Sequence, residues 1–411
     1  MATARPMIVS PIYSRILAKF PQNVTFCFAY GSAVKKQLSN KNKENMIDLI
    51  YCVDNPTNWH ESNMKTNYSH YSGLKYFGHN FIAKFQENFG AKVYFNTLVP
   101  LEDVWIKYGV ISTKDLITDL LEWSDIYVAG RLHKPVEIIK KPSCAELQTA
   151  LTLNLQSAVH AALLLLPEAF SEYEFYHTVS NLSYAGDFRM IFGESKNKVE
   201  NIVRPQLLGF RNLYSPFIKM LEDYVEFPML RESEEYAEIS SCCYQDLGPL
   251  ARLHHLNQLP RWPQKALTRF WNKGPLRQDT EDVLRAIAYD PDCNIIVQKC
   301  IDDLVFKSSV GQSLKKRCIA ILILSHETLM KGYVLKQIAS PKEELPKSET
   351  AVIGPALPPH LLKKVETSEV ECFGPQLPPH LLKKKPDIEK SSCIGPQLPA
   401  HLRQKLQEES S

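Results

Sequence analysis

The feature that most constrains this chain is a strand, a tight turn, a short helix and a second strand within residues 24–53. The first strand reads VTFCFAY, Gly31 and Ser32 form the turn, residues 33–38 form the helix, and the second strand reads MIDLIYCV. Apolar runs of this length that end at glycine or polar residues are typical of buried strands. The pattern predicts a compact α/β unit at the start of the chain.

The turn is also a candidate phosphate-binding site. A glycine there lets backbone N–H groups approach a phosphate, and a helix that begins just after it directs its positive end at the same place. Asp48, near the start of the next strand, would hold a cation against that phosphate. An ordinary Gly-Ser turn is the structural alternative.

Further strands and helices follow this α/β unit. We expect a helix near Phe81–Phe89, strands at Ala91–Val99 and around Lys107–Ser112, and a helix near Lys114–Trp123. Prolines at 135 and 142 predict a junction, because the residue before proline avoids the helical conformation.

The second half of the chain is predicted to be mainly helical. Helical spacing of apolar residues runs from Cys144 into Pro167, continues from Glu168 to about Val179, and resumes from 280 to 334, whereas 225–260 gives no clear pattern. The predicted units are residues 1–140, 141–310, a C-terminal helix at 311–339 that could contact a membrane, and a tail at 340–411.

Composition excludes several classes of protein. The 48 Lys and Arg residues nearly balance 45 Asp and Glu residues, a formal charge of +3, so no global field favours nucleic acid. No apolar stretch approaches the roughly 20 residues that span a bilayer. The ten cysteines form no CxxC pair and no Cys/His ladder, which argues against a zinc site and favours a reducing compartment.

The two ends of the chain differ from the middle. Arg5, Arg15 and Lys19 precede the first acidic residue, Glu44, which suits a mitochondrial transit segment, although residues 13–20 could equally begin the folded unit. The tail carries three copies of a GPxLPxHL phrase, with glycines at 354, 374 and 395. Each copy offers few apolar residues between prolines, so we expect disorder with short binding motifs for an unknown protein.

Seven sequence blocks, in order, resemble the mitochondrial CDP-diacylglycerol synthase family, also called translocator assembly and maintenance proteins. The resemblance covers about 15–335, and the tail instead resembles the GPALPP motif of another family. The blocks are FAYGSAVKKQ, MIDLIYCVDNPTNWHESN, HYSGLKYFG, KVYFNTLVP, KYGVIS, YVAGRLHKPV and LSYAGDFRM.

This resemblance implies an α/β nucleotidyltransferase domain of the DNA polymerase β type, then a mainly helical, winged-helix-like domain. Carried over, Tyr30, Gly31 and Ser32 bind the nucleotide, and Asp48 is the catalytic carboxylate that binds Mg²⁺. A phosphate oxygen of phosphatidic acid would attack the α-phosphorus of CTP, and pyrophosphate would leave.

One position departs from the wider superfamily, in which a second carboxylate lies two residues after the first. That position is Ile50 here, and Asp54, on the same strand face, is about 20 Å from Asp48. Asp54 is therefore predicted to be a turn residue. On the next strand Asn96 is the polar candidate for nucleotide binding.

Other polar residues in the matched blocks are candidates for the substrate site. His60, Asn63, His70 and Tyr71 form two polar-aromatic clusters after the metal strand, with ordinary core or surface roles as the alternative. Lys107 could contact phosphates as a point charge and act in catalysis, or be a strand-edge lysine.

Two further charged spots complete the candidate set. Asp187 and Arg189 would point to one side of an extended segment as an acid–base pair at the cleft, or form a structural salt bridge. Arg131, with Lys134, offers a basic spot for a lipid phosphate. Near the C-terminus 315–317 reads KKR before CIAILIL, which would lie at an anionic membrane surface or be a buried helix.

The function that these observations favour is CTP:phosphatidate cytidylyltransferase, acting from the matrix side of the mitochondrial inner membrane as a peripheral protein in cardiolipin synthesis. Its expected ligands are CTP, phosphatidic acid and Mg²⁺, with no nucleic acid. Two alternatives remain open: a non-catalytic factor for assembly of the import machinery, and a nucleotidyltransferase acting on RNA.

Overall fold

The computed structural model describes residues 10–31, 46–101, 104–192, 197–228 and 242–315, which all fall in one compact unit. Ser32, the short helix predicted at 33–38, residues 316–339 of the predicted C-terminal helix and the predicted disordered tail at 340–411 lie outside these residues.

The described chain contains eight strands and a larger number of helices. The strands are β1 (Phe26–Tyr30), β2 (Ile47–Val53), β3 (Tyr94–Leu101), β4 (Val104–Ser112), β5 (Glu137–Lys140), β6 (Ala169–Ser171), β7 (Val225–Glu226) and β8 (Cys242–Gln245). The helices are α1 (Pro11–Ala18), α2 (Pro56–Thr66), α3 (Gly78–Asn88), α4 (Thr113–Glu122), α5 (Ala129–Leu132), α6 (Ala145–Leu165), α7 (Glu172–Asn181), α8 (Phe188–Phe192), α9 (Lys198–Val203), α10 (Leu207–Ile218), α11 (Pro249–Asn257), α12 (Arg261–Trp271), α13 (Thr280–Tyr289) and α14, which covers 293–315 of the described residues.

The main sheet has five strands in the order β3-β4-β2-β1-β5. Strands β2 and β4 are parallel, and the other pairs are antiparallel. The parallel pair needs a crossover, which α2, α3 and β3 supply. The α/β class that the sequence predicts is therefore confirmed, and the register of the sheet places Asp48 beside both Tyr30 and Lys107.

Alternation along the central strands explains why the sheet is covered on both faces. Phe28, Ile50 and Cys52 belong to the core that the sheet shares with the helical part of the chain. Leu49 and Tyr51 point to the other face, where a second core forms. Successive side chains of a strand point to opposite faces, so buried residues at every position require cover on both sides.

The N-terminal alternatives are resolved for the described residues. Helix α1 packs Tyr13 and Ile16 into the second core, and Phe20 follows them there. Residues 13–20 therefore begin the folded unit, as one of the two interpretations expected.

The helical part of the chain is built around α6 and a small sheet. Strands β6, β8 and β7 pair antiparallel in that order. The helix predicted to start at Glu168 begins instead at Glu172, after β6, and Ser171 caps it in a capping box with Glu174. At the C-terminal side, α14 begins at residue 293, well before the predicted boundary at 311.

Candidate functional site

A cleft of about 430 Å³ opens where the main sheet meets the helical part of the chain. The sheet contributes the end of β1, the start of β2 and the middle of β4, and the helical part contributes α5, α9 and the segment around residues 183–189. The charged residues that line it are Asp48, Lys107, Asp125, Arg131, Lys134, Asp187, Arg189 and Lys198.

Asp48 and Lys107 form the polar centre of the sheet side. The Lys107 ammonium donates to Asp48 Oδ1 at 2.8 Å, and the two side chains are 21% and 22% exposed. Burial opposes the charge on Lys107, but Tyr30 and Asp48 outweigh it and raise the pKa of the lysine. A charged lysine therefore stays next to the carboxylate at neutral pH.

Gly31 brings the backbone close to this pair. Its φ of +85° lies in the left-handed region, and a Cβ there would sit 3.1 Å from Asp48 Oδ2. Glycine tolerates this conformation without a steric penalty, and it leaves the carboxylate in place. The residue that the sequence predicts to bind nucleotide therefore lies next to the predicted metal ligand.

Two tyrosine rings pack against a half-buried arginine on the other side of the cleft. The Arg131 guanidinium lies 3.9 Å from the centre of the Tyr127 ring and 5.1 Å from the Tyr30 ring. Arg131 also donates to the Tyr127 carbonyl. Burial disfavours its charge, but Tyr127 and Tyr30 raise the pKa of Arg131, so it remains a cation. Rings on both sides fix the position of this positive charge.

Asp187 and Arg189 form the expected pair, but not through an extended segment. Arg189 Nε lies 3.0 and 3.1 Å from the two Asp187 oxygens, and its backbone N–H donates to the same carboxylate at 2.9 Å. Asp187 precedes α8 and is 3% exposed, so it acts as a helix cap as well as an ion-pair partner. The pair lines the cleft, as both alternatives allowed.

Lys134 is less available than the sequence suggests. Its ammonium donates to the Gly130 carbonyl at 2.6 Å and to Ser183 Oγ at 2.8 Å. Burial, together with Arg131 and Lys198, holds the pKa of Lys134 well below its usual range. Lys107, Arg131 and Arg189 therefore supply positive charge at the cleft that Lys134 does not.

The carboxylate oxygens of Asp48 suit a magnesium ion that takes most of its other ligands from the bound substrate. Mg²⁺ typically takes one or two carboxylates and fills its other positions with phosphate oxygens and water. Asp48 is the partly exposed carboxylate beside Gly31, whereas Asp187 is already held by Arg189. Within the described ranges no cluster of three acids, histidines or cysteines surrounds Asp48.

Four of the predicted substrate residues lie elsewhere. His60 and Asn63 both contact the Tyr71 hydroxyl, at 2.8 and 2.9 Å, and Asn63 and His70 contact the Tyr108 hydroxyl, at 3.0 and 3.2 Å. Tyr108 follows Lys107 on β4, so it points to the opposite face of the sheet. This network joins α2 to the sheet, and none of the four lines the cleft.

The burial of His60, which lies in this network, explains its protonation state. His60 is fully buried, and burial lowers its pKa to about 4. Its Nε2 is 2.9 Å from Gln86 Oε1, which accepts a hydrogen bond and so favours a proton on Nε2. A neutral, fully paired histidine of this kind has a structural role.

The register also corrects the prediction for Asn96. Asn96 pairs with Tyr108 across β3 and β4, so its side chain lies on the Tyr108 face and away from Asp48. Ile50 is fully buried in the core, and Asp54 accepts from Thr113 Oγ1 at 2.7 Å as a residue of the turn. Among the described residues, no second carboxylate follows Asp48 along β2.

Residues that the sequence analysis did not single out complete the cleft. Tyr127 orients Arg131, and Asp125 and Lys198 line the same space. Burial, then the nearby Asp119, raises the pKa of Asp125 to about 6. Tyr127 lies four residues before Arg131 in the same matched block. On a helix this spacing brings two side chains together, so it could have identified Tyr127 from the sequence.

The lysine proposed to begin the membrane segment is buried. Lys315 is 4% exposed and donates to the carbonyls of Gln86 and Phe89 at 3.1 and 2.8 Å. Burial lowers its pKa to about 7. Lys315 therefore anchors α14 to α3 and cannot contact a membrane; residues 316–324 lie outside the described residues. No described helix has the length and apolarity needed to cross a bilayer.

Comparison with known proteins gives consistent matches. The sequence model of the family described as mitochondrial phosphatidate cytidylyltransferase matches residues 13–331. Relatives with that name include the zebrafish protein (Danio rerio), 44% identical over 76% of this chain and 90% of its own length, and the Drosophila melanogaster protein, 44% identical over 74% and 92%. The human protein is 41% identical over 74% of this chain and 65% of its own length.

Proposed function

The chain belongs to the mitochondrial phosphatidate cytidylyltransferase family, and from this we propose that its charged cleft joins CTP to phosphatidate to form CDP-diacylglycerol. The observation that carries the proposal is the contact of Asp48, Lys107 and Gly31 at the sheet edge of the cleft. In the reaction an oxygen of the phosphatidate phosphate forms a bond to the α-phosphorus of CTP. The bond from that phosphorus to the bridging oxygen breaks, and pyrophosphate takes the electron pair.

Some cleft residues position the triphosphate, and others stabilise the negative charge that develops during the reaction. The backbone at Gly31 is placed to approach the triphosphate, and Lys107 supplies a positive charge near Asp48. Arg131, fixed between two aromatic rings, supplies a second charge that needs no reorganisation as negative charge moves to the leaving group. When Mg²⁺ is bound, Asp48 would hold it, and the ion would neutralise phosphate oxygens.

We propose that residues 1–140 form a nucleotidyltransferase domain of the DNA polymerase β type. The mixed five-stranded sheet, with its glycine turn after β1 and its carboxylate on β2, supports this assignment. The three-stranded antiparallel sheet beside α6 and α7 supports a winged-helix-like assignment for the part that follows.

Pyrophosphate release by the purified chain tests the function. We expect release that requires both CTP and vesicles containing phosphatidate, and that falls when magnesium is chelated. Release without the lipid, or with RNA in place of the lipid, would overturn the proposal in favour of a different acceptor.

We further propose that the protein works as a peripheral protein on the matrix side of the inner membrane and contacts it through α12. A cavity of about 400 Å³ is lined by the exposed residues Lys265, Arg269 and Lys273. Lys299 and Lys307 also line it. Lys265 lies 5.2 Å from the Trp262 ring and Lys273 lies 4.5 Å from the Phe270 ring. Basic residues next to aromatic rings suit an anionic membrane surface.

A triple change of Lys265, Arg269 and Lys273 to glutamine tests this surface. Each basic residue near an anionic membrane contributes about 1 kcal/mol to binding, so the triple variant should sediment much less with cardiolipin-containing vesicles than the parent chain. The difference between the two chains should be larger at low salt, because salt screens the attraction. Pyrophosphate release with a soluble short-chain phosphatidate should be retained.

Lys315→Gln is the matched control, because the sequence leaves a membrane contact open for this lysine whereas the structure buries it. It should leave vesicle binding unchanged and lower the unfolding free energy by about 1–3 kcal/mol, since it disturbs the hydrogen bonds to two backbone carbonyls. Selective loss of vesicle binding in Lys315→Gln, with none in the triple variant, would contradict the assignment.

Deletion of residues 342–411 is expected to leave catalysis unchanged. The family match ends at residue 331, and the tail is rich in proline and lysine with few apolar residues to join a core. Turnover of the truncated and full-length chains should agree when measured side by side. A truncated chain that folds but loses turnover would show that the tail takes part in the reaction.

A further inference from the structure

Three histidines converge in the helical part of the chain, outside the cleft. His160 lies on α6, and His254 and His255 are neighbours on α11. Their ring centres form a nearly equilateral triangle, with His160 5.4 Å from His254 and 5.2 Å from His255, and 5.4 Å between the last two. Such an arrangement brings three imidazoles together from two helices.

The ring nitrogens lie close together. One nitrogen of each ring lies within 4.8 Å of the other two, and the Nδ1 atoms of His160 and His255 are 2.9 Å apart. Imidazoles on one tetrahedral metal ion, with metal–nitrogen bonds of about 2.0–2.1 Å, hold their nitrogens about 3.3 Å apart. Rotation of the rings would bring one nitrogen of each to that spacing around an ion.

Two of the three rings lie in the interior of the protein. His160 and His255 are 1% and 2% exposed. Neutral imidazole, which offers a nitrogen lone pair, is the form that binds metals.

A buried nitrogen without a partner is a second indication of a ligand. His255 Nε2 is buried and has no hydrogen-bond partner among the described residues. Unpaired buried polar atoms are rare because they lose their hydrogen bonds to water without replacement. An ion that took Nε2 would give this atom a partner, whereas a histidine pair joined through the Nδ1 atoms leaves it unpaired and does not explain the position of His254.

The surroundings orient the rings and leave space beside them. The Tyr224 ring stacks on His254 at 4.4 Å with an angle of 12°, which fixes that imidazole. His255 also lines a cavity of about 160 Å³ together with Gln245, Asp246 and Asn294. The cavity at His255 leaves space for a water or a further oxygen, which completes metal sites that have three protein ligands.

We propose that His160, His254 and His255 bind a divalent transition metal of the zinc type, which joins α6 to α11. Nitrogen ligands favour such ions over magnesium, which prefers oxygen, so this site differs in chemistry from the one at Asp48. The contact spans 95 residues of sequence, so the ion would stabilise the fold of the helical part. The inference does not depend on the reaction proposed for the cleft.

The test uses the full chain carrying Asp48→Asn, so that the cleft holds no competing cation. The chain is stripped with a chelator, dialysed against dilute zinc and analysed for bound metal and for its unfolding temperature. We expect about one zinc ion per chain and a higher unfolding temperature, since an ion that binds only the folded state stabilises it. Replacing zinc with cobalt should give the visible absorption of a tetrahedral site.

His254→Gln, in the same background, removes one ligand at a half-buried position and should weaken zinc binding by more than about 10-fold. His177→Gln is the matched control, because His177 is a half-buried histidine on α7 outside the cluster. It should bind zinc like the parent chain. If His254→Gln fails to fold, His254→Cys, which retains a ligand atom, should fold and bind zinc. No bound zinc in the parent chain, or equal binding by the His254→Gln and His177→Gln chains, overturns the proposal.

Discussion

Replacement of Asp48 by asparagine is expected to reduce CTP transfer by at least about 100- to 1,000-fold while the protein stays folded. The change removes the negative charge at the sheet edge of the cleft and keeps the shape of the side chain. Asp48 is 22% exposed, so loss of its charged hydrogen bond with Lys107 should cost about 1–3 kcal/mol of stability. The measurement is turnover at saturating CTP and magnesium, beside the unfolding temperature.

Asp54→Asn is the matched control for this prediction. Asp54 lies just beyond the same strand, but it accepts from Thr113 and does not line the cleft. It should retain most of the activity. Turnover close to the parent value in Asp48→Asn, or equal losses in the two variants, would remove Asp48 from the reaction.

Gly31→Ala should lower turnover by about 10- to 100-fold, because a misplacement of about 1 Å in a catalytic group has effects of that size. The new methyl group would lie 3.1 Å from Asp48 Oδ2 and displace the carboxylate, and the left-handed backbone would add about 1–2 kcal/mol of strain. Turnover and the unfolding temperature are measured together.

Gly78→Ala is the control that introduces the same backbone strain without a contact with Asp48. Gly78 has a φ of +81°, close to that of Gly31, but no atom lies within 4 Å of the position its Cβ would take. It should lose similar stability and keep near-normal turnover. If both alanine variants lose activity equally, the loss at Gly31 comes from the backbone and not from contact with Asp48.

The part of the site nearest the turn could be predicted from the sequence. Gly31 and Asp48 stand at the ends of two strands that are adjacent in sequence, and antiparallel pairing of such strands brings Asp48 next to Tyr30. The predicted lysine, Lys107, joins them because β4 pairs with β2 in parallel register. Local pattern and family resemblance together were sufficient here.

The sequence does not show on which face of the main sheet a side chain lies. His60, Asn63, His70 and Tyr71 stand in the matched blocks, yet they gather around Tyr108, one residue from Lys107 and on the opposite face. Asn96 was misassigned for the same reason, because its pairing with Tyr108 depends on a register that the sequence does not state.

Contacts between residues distant in sequence were also beyond prediction. Lys315 reads as the start of a basic membrane segment, but it is buried because its ammonium reaches two carbonyls at the end of α3. Likewise, the absence of a Cys/His ladder argued against a zinc site, whereas His160 meets His254 and His255 only because α6 packs against α11. Spacing rules detect groups that are close in sequence, whereas His160 lies 95 residues before His255.

Transfer of label from CTP to lipid tests the central claim most directly. The purified chain is incubated with magnesium, vesicles containing phosphatidate, and CTP labelled at its α-phosphate, and the lipid phase is then extracted. The label should appear in CDP-diacylglycerol, and Asp48→Asn should abolish its appearance. A folded parent chain that leaves all the label in the aqueous phase, or a product that forms equally well with Asp48→Asn, would contradict the assignment of this reaction to the cleft.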